Sequence, residues 1–181
     1  MHPLVDGDRL RRFMHALGSD PACTGRVYIT GGGSAVLIGW RAQTADADLL
    51  LVPDSDALLR AIQRLKLSFG MNVELASPAH FLPELPGWED RSVFIAREGC
   101  VDFFHYDFSA QALSKILRGQ EKDLGDVAAM IEHGLIEPPK VWALFGRIED
   151  KLFRFPNINP DAFRAAVRRV LGLGPDGPAA E

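Results

Sequence analysis

The apolar positions of this chain follow two alternating periods and then settle into one. Leu10, Phe13, Met14 and Leu17 recur at helical spacing, and Gly18 supplies a stop. "RVYIT" (Arg26 to Thr30) is β-branched and aromatic, and predicts a strand running into Gly31-Gly32-Gly33. "SAVLIGW" predicts a short helix, and "DADLLLV" a second strand stopped by Pro53. Leu58, Ile62, Leu65 and Phe69 mark a second long helix closed by Gly70. "NVELA" (Asn72 to Ala76) is a third strand, and the proline-rich "SPAHFLPELPGW" reads as a helical turn within a loop. "SVFIA" and "CVDFFHY" form a hairpin that turns at Glu98-Gly99.

From Ser109 onward only the helical period remains. "SAQALSKILRG" and "EKDLGDVAAMIEHG" predict two helices separated near Gly119. "PPKVWALFGRIEDKLFRF" predicts one helix, with prolines in its first turn and Val141, Leu144, Phe145, Ile148 and Leu152 on its apolar side. "NPDAFRAAVRRVLGLG" is the last helix, and "PDGPAAE" reads as a disordered tail. The fold class is α+β: a small mixed β-sheet with flanking helices, followed by a C-terminal helical region. The expected division is a core over residues 1–108, a packed helical region over 109–174 and a tail over 175–181.

Composition narrows the function classes. With 47% hydrophobic and 24% charged residues in a chain of 181, the protein is globular rather than disordered. A net charge of −4 excludes a generally basic surface, so any nucleic-acid contact must come from a local patch. One segment qualifies: Lys140 to Val170 carries seven basic residues against three acidic. An ordinary solvated helix face would read the same way. No apolar run reaches the length of a membrane span, and the first residues lack the layout of a secretion signal. Cys23 and Cys100 stand far apart and in no CxxC pattern, which argues against a disulfide framework or a zinc site. The expected compartment is the cytoplasm.

The chemistry concentrates between Ile29 and Val52. Three adjacent glycines after a strand let backbone N–H groups approach an anion, and the first turn of a following helix adds its dipole. A tight strand-to-helix turn would explain the same glycines. No Walker loop is present, and Val36 occupies the last glycine position of both GxGxxG and GxSxG. Asp46 and Asp48 are more informative. On a strand they project from one face while Ala47 and Leu49 project from the other. Two such carboxylates repel unless a cation lies between them, and Mg²⁺ favours one or two carboxylates together with substrate phosphates. The competing reading is a solvated edge strand, but the run Leu49-Leu50-Leu51-Val52 does not keep alternating as such a strand should.

Taken together, "GGSA" (Gly32 to Ala35), Arg41, Thr44 and "DAD" (Asp46 to Asp48) resemble the signature of the nucleotidyltransferase superfamily, the polymerase-beta-like fold. Within it they are most similar to AbiEii-like bacterial proteins, including nucleotidyltransferase toxins of toxin–antitoxin systems. A second block, "DFSAQALSKILRGQEKDLGDV", resembles that group's lysine helix and its following Asp-x-x-Asp segment, with Lys115, Asp123 and Asp126 in the motif positions. The likeness covers residues 27–52 and 101–127. Ala47 departs from it, since a larger aliphatic residue is usual there.

The resemblance implies transfer of a nucleotidyl group from an NTP to a hydroxyl, with Mg²⁺ or Mn²⁺ held by Asp46, Asp48 and a third carboxylate. Asp102, flanked by Val101 and Phe103, is the expected third acid, and Asp107 the competitor, better explained as a helix N-cap. Gly32, Gly33, Ser34, Arg41 and Thr44 are expected at the nucleotide, and Lys115 at phosphate or leaving group. Asp123 and Asp126 share a helix face, read as opposite Leu124, Val127, Ala128 and Ile131, where they would orient Lys115 or Arg118. Asp123 could equally favour the helix's N-terminal end. His105 is expected to be structural. The implied partners are an NTP, an RNA such as a tRNA end held by the basic C-terminal helices, or a protein, and no membrane. An inactive, antitoxin-like partner-binding protein and a small-molecule nucleotidyltransferase are the alternatives.

Overall fold

The computed structural model describes residues 4–174, so the tail expected over 175–181 lies outside the described residues. The chain divides into two compact units. The first runs to Ser77 and takes in Ser92–Tyr106; the second combines Pro78–Arg91 with the chain from Asp107 onward.

The first unit contains α1 (Gly7–Gly18), β1 (Gly25–Thr30), α2 (Gly31–Ile38), β2 (Asp46–Val52), α3 (Asp56–Phe69), β3 (Asn72–Leu75), β4 (Val93–Glu98) and β5 (Val101–His105). Its five-stranded sheet has the order β3-β2-β1-β5-β4. β1 runs antiparallel to β2 and parallel to β5, while β2 is parallel to β3. Alternation along the strands sends Val27, Ile29, Ala47, Leu49, Leu51, Val73, Val101 and Phe103 into one core with Leu10, Phe13 and Leu17 of α1 and Leu58 and Ile62 of α3. Asp46, Asp48 and Leu50 point to the other face of β2, each only half-buried. Asp6 caps α1 by accepting from the Arg9 N–H, and Ser55 caps α3. Gly70, with φ 57°, closes α3 where the apolar period ends.

The second unit is helical. It holds a 3₁₀ turn at Pro78–His80, α4 (Trp88–Arg91), α5 (Phe108–Arg118), α6 (Glu121–Glu132), α7 (Pro138–Gly146), a 3₁₀ segment at Glu149–Arg154 and α8 (Pro160–Val170). Leu113, Ile116, Val127, Met130, Val141, Phe145, Ile148, Leu152, Phe163 and Val167 are all buried. Arg91 donates to Asp107 through Nε at 3.0 Å and a terminal nitrogen at 2.7 Å, which ties the two segments of the unit together.

Two expectations change. The glycines are not a turn ahead of a helix but its first turn, because α2 begins at Gly31. The single helix expected across Pro138 to Phe155 is two pieces. Gly146 is its weakest helical position, and the 3₁₀ segment that follows keeps Ile148 and Leu152 buried without continuing the α-helix.

The end of α1 packs against the β4–β5 turn so closely that a Cβ on Gly18 would stand 2.2 Å from the Glu98 carbonyl oxygen. Gly125, exposed within α6, meets nothing within 4 Å. Urea denaturation is expected to show Gly18→Ala destabilising by about 1–3 kcal/mol. Gly125→Ala is expected to stabilise by about 0.5–1 kcal/mol.

Candidate active site

The site is built where β1 ends and β2 begins. Thr30, the last residue of β1, faces Asp48 across the antiparallel register. The chain then enters α2 through Gly31, whose φ of +61° excludes most side chains. Each of the three glycines has its own steric reason. A Cβ on Gly31 would lie 2.8 Å from Asp48 Oδ2, and one on Gly32 would lie 2.0 Å from Thr44 Oγ1 and 3.5 Å from the Arg41 guanidinium. On Gly33 it would press Ile29 at 2.8 Å. Gly31 and Gly32 therefore open the space around the acids, Arg41 and Thr44, whereas Gly33 lets α2 settle on the sheet. The Thr30 side chain makes no capping hydrogen bond, so the positive end of α2 has no capping side chain of its own beside Asp48.

β3 completes the arrangement. Its parallel register sets Asn72 beside Asp46 and Glu74 beside Asp48. Asn72 Nδ2 donates to Asp46 Oδ1 at 2.7 Å and to Glu74 Oε1 at 3.0 Å, and so holds two carboxylates from one amide. Thr44 Oγ1 donates to the Asp46 carbonyl at 3.1 Å, and the Thr44 backbone pairs with Val5. Asp46, Asp48 and Glu74 thus share one face at one end of the sheet. The alternation in "NVELA" carried this signal: Asn72 and Glu74 are its polar face, on a strand that follows the Asp-x-Asp strand through one helix. Among the described residues no three His, Cys, Asp or Glu side chains close into a ready-made metal cage. Hard carboxylate oxygens, half open to solvent, nonetheless suit a cation that keeps water and takes the rest of its ligands from a phosphate substrate.

Asp102 is not part of this group. It sits on β5 opposite Arg26, four residues along β1 from Thr30 and so roughly 13 Å away along the strand direction. Arg97 grips it in a bidentate pair, Nε to Oδ1 at 2.6 Å and a terminal nitrogen to Oδ2 at 2.7 Å. Those hydrogen bonds hold its carboxyl below the ordinary value. Asp107 caps α5, accepting from the Ser109 N–H at 3.0 Å.

Ser34 is wholly buried, and its hydroxyl donates to the Ile29 carbonyl at 3.0 Å. With that proton committed, the Nδ1–H of His105 donates to Ser34 Oγ, also 3.0 Å away. Burial pushes the His105 pKa from 6.5 to about 4, so the imidazole is neutral.

In the second unit, Lys115 Nζ donates to Asp126 at 2.6 Å and lies 3.7 Å from Asp123, which Arg118 clamps at 2.7 and 2.5 Å. Asp123, Asp126 and Lys115 are buried. The two acids lie on the same side of α6 as Val127 and Met130, not opposite Val127 as expected, because two cations neutralise them there. Burial alone would raise the Asp123 pKa, but the hydrogen bonds and charge of Arg118, with Lys115 behind, outweigh it and lower it.

A family model described as "Nucleotidyltransferase of unknown function (DUF6036)" matches residues 10–155. The chain belongs to this nucleotidyltransferase family. The match begins within α1, spans every strand of the sheet and stops before α8. No curated protein and no solved structure matches the chain significantly. No helix among the described residues is long and apolar enough to cross a membrane.

Two stability measurements follow from these contacts. For His105, the folded value near 4 lies below the unfolded 6.5, so protons favour the unfolded chain. Its contribution is complete above pH 6.5 and is lost as pH falls from 6.5 to 4, by on the order of 3 kcal/mol. Thermal melts across that window are expected to flatten in His105→Gln. Lys115→Ala removes the cation 2.6 Å from the buried Asp126 carboxylate, while Asp123 keeps Arg118, and is expected to lower stability by roughly 3–5 kcal/mol in urea titrations.

Proposed function

We propose that this family member is a Mg²⁺-dependent nucleotidyltransferase that moves an NMP group from an NTP to a hydroxyl acceptor. One observation carries the reading: three carboxylates, Asp46, Asp48 and Glu74, share a sheet face beside the glycine-lined N-terminus of α2. Asp46 and Asp48 would hold Mg²⁺ (Mn²⁺ offers the same coordination), with Glu74 as the third acid in place of Asp102. The ion supplies charge neutralisation on the triphosphate and the leaving oxygen.

The chain's own groups supply the rest. The N–H groups at Gly31 and Gly32 and the Arg41 guanidinium attract the phosphates at the helix end. Gly33 and Ser34 act from behind, fixing α2 to the sheet through Ile29 and His105 rather than touching nucleotide. The Thr44 hydroxyl steadies Asp46 by donating to its backbone carbonyl. The acceptor oxygen forms a bond to the α-phosphorus, the bond to the bridging oxygen breaks, and pyrophosphate leaves. Glu74, the most open of the three acids, is placed to take the acceptor's proton. Lys115, Asp123 and Asp126 serve as a brace between α5 and α6.

An RNA hydroxyl is the acceptor class we favour over a protein or small molecule. Lys140 and Arg164 are neutralised by Glu137 and Glu149, but Arg147, Lys151, Arg154 and Arg169 leave the second unit with cations for a polyanion. The motif likeness to AbiEii-like proteins supports a toxin–antitoxin setting. The intact carboxylate group speaks against an inactive, antitoxin-like role.

Purified protein incubated with each α-labelled NTP, Mg²⁺ and total RNA is expected to label RNA. Chelation with EDTA and Asp48→Asn are each expected to cut the rate at least about a hundredfold, with Glu74→Gln close behind. Asp102→Asn should leave it within about threefold, since Asp102 is engaged by Arg97 well along the sheet from the paired acids. Wild-type levels of transfer by Asp48→Asn, or no Mg²⁺-dependent NTP binding by calorimetry, would overturn the reading.

A further inference from the structure

The second unit carries a cavity of about 400 Å³ that the transfer site does not use. It opens between the Pro78–His80 turn, α5 and the segment after the Glu149–Arg154 turn. Phe81 and Phe155 line it, together with His80, Arg118, Arg154 and Asn157. Two aromatic walls, two guanidiniums and no carboxylate among its described lining residues make a site for a flat ring that carries an anion. Arg118 is paired with the fully buried Asp123, which fixes its guanidinium at the cavity wall but offsets its charge, so the cavity's uncompensated guanidinium in these pairings is Arg154.

The cavity does not end there. A neighbouring hollow of about 540 Å³ shares Arg154 and Phe155 and adds Lys151 and one acid, Glu84, so its two cations outnumber its carboxylate. Phe153, 75% exposed, carries the Arg154 guanidinium 5.7 Å from its ring centre. Phe81 is 56% exposed at the rim. Exposed phenylalanines are costly to solvate unless something stacks on them. Aromatic faces and cations spread over two adjoining hollows match how single strands are gripped.

We propose that these two hollows bind an unpaired stretch of nucleic acid, with bases on Phe81 and Phe155 and phosphates on Lys151 and Arg154. Their use as the seat of the acceptor rests on the transfer reading; the binding itself does not.

The test is fluorescence anisotropy of a labelled single-stranded RNA of about ten nucleotides, titrated with the full chain without NTP. The single strand binds more tightly than its duplex, and affinity falls with added salt. Phe81→Ala and Arg154→Gln, both at exposed positions where folding is not at stake, each weaken it by about fivefold or more. Asp46→Asn/Asp48→Asn binds the strand as well as the wild type, so a failed transfer assay and a failed binding assay are distinguishable. Absence of binding, unchanged affinity in both cavity variants, or preference for duplex would overturn the proposal. So would equal competition by AMP, which would make the cavity a mononucleotide site.

Discussion

The register of β2 between β1 and β3 is the constraint on which the rest of the first unit depends. Side chains alternate along a strand with a period of two, so a slip of one residue would exchange the faces of Asp46 and Ala47. Ala47, Leu49 and Leu51 are buried against α1 and α3, and a slip would carry the two acids into that core. Burying unpaired carboxylates costs several kcal/mol each in practice, which fixes the register more firmly than any ladder hydrogen bond. The same alternation, copied across to β3, delivers Asn72 and Glu74 to the acids' face. Core packing and site geometry are thus one requirement, met by one strand.

Much of this was legible in the chain. Strand and helix positions follow from periodicity, and the paired acids from their interruption of an apolar run. What local pattern could not supply was pairing order. Asp102 and Glu74 are both single acids on short strands. Asp102 looks the more buried in sequence, set between Val101 and Phe103. Only the order β3-β2-β1-β5-β4 separates them, placing Glu74 beside Asp48 and Asp102 beside Arg26 and Arg97. Asp123 and Asp126 misled for a related reason. With Val127 and Met130 they form an i, i+3, i+4, i+7 stripe, which is a buried stripe whatever its residues. The pairing with Lys115 and Arg118 is legible in the motif, but the burial of the acids is not, because the counter-charges that permit it come from a different helix.

That network illustrates how a motif and a brace coincide. Lys115 and the two acids occupy the positions that the family likeness assigns to nucleotide chemistry, yet together with Arg118 they balance one another's charge. A buried pair of this kind adds little net stability over an apolar substitute, though removing one member is costly. Such a set therefore persists where it specifies an arrangement, here the angle of α6 on α5 and the fixed guanidinium of Arg118.

Ser34 shows the converse. Its letter fits a phosphate contact, but position within α2 decides otherwise. Ser34 lies in the buried stretch of α2, with Gly33, Ala35 and Val36. Its hydroxyl meets Ile29 and His105, while the residues that remain at the open end, Gly31 and Gly32, have no side chain to offer. On the proposed reading, anion recognition at this helix end falls to backbone N–H groups and the helix dipole, assisted by Arg41. Backbone donors cannot be lost by side-chain substitution; they are lost by filling the space in front of them. The glycines at 31 and 32 are then better understood as the absence of two methyl groups than as flexible hinges, since a Cβ at either position would collide with Asp48 or Thr44 before it affected the helix. On the proposed reading, the residues that recognise phosphate here do so by being small.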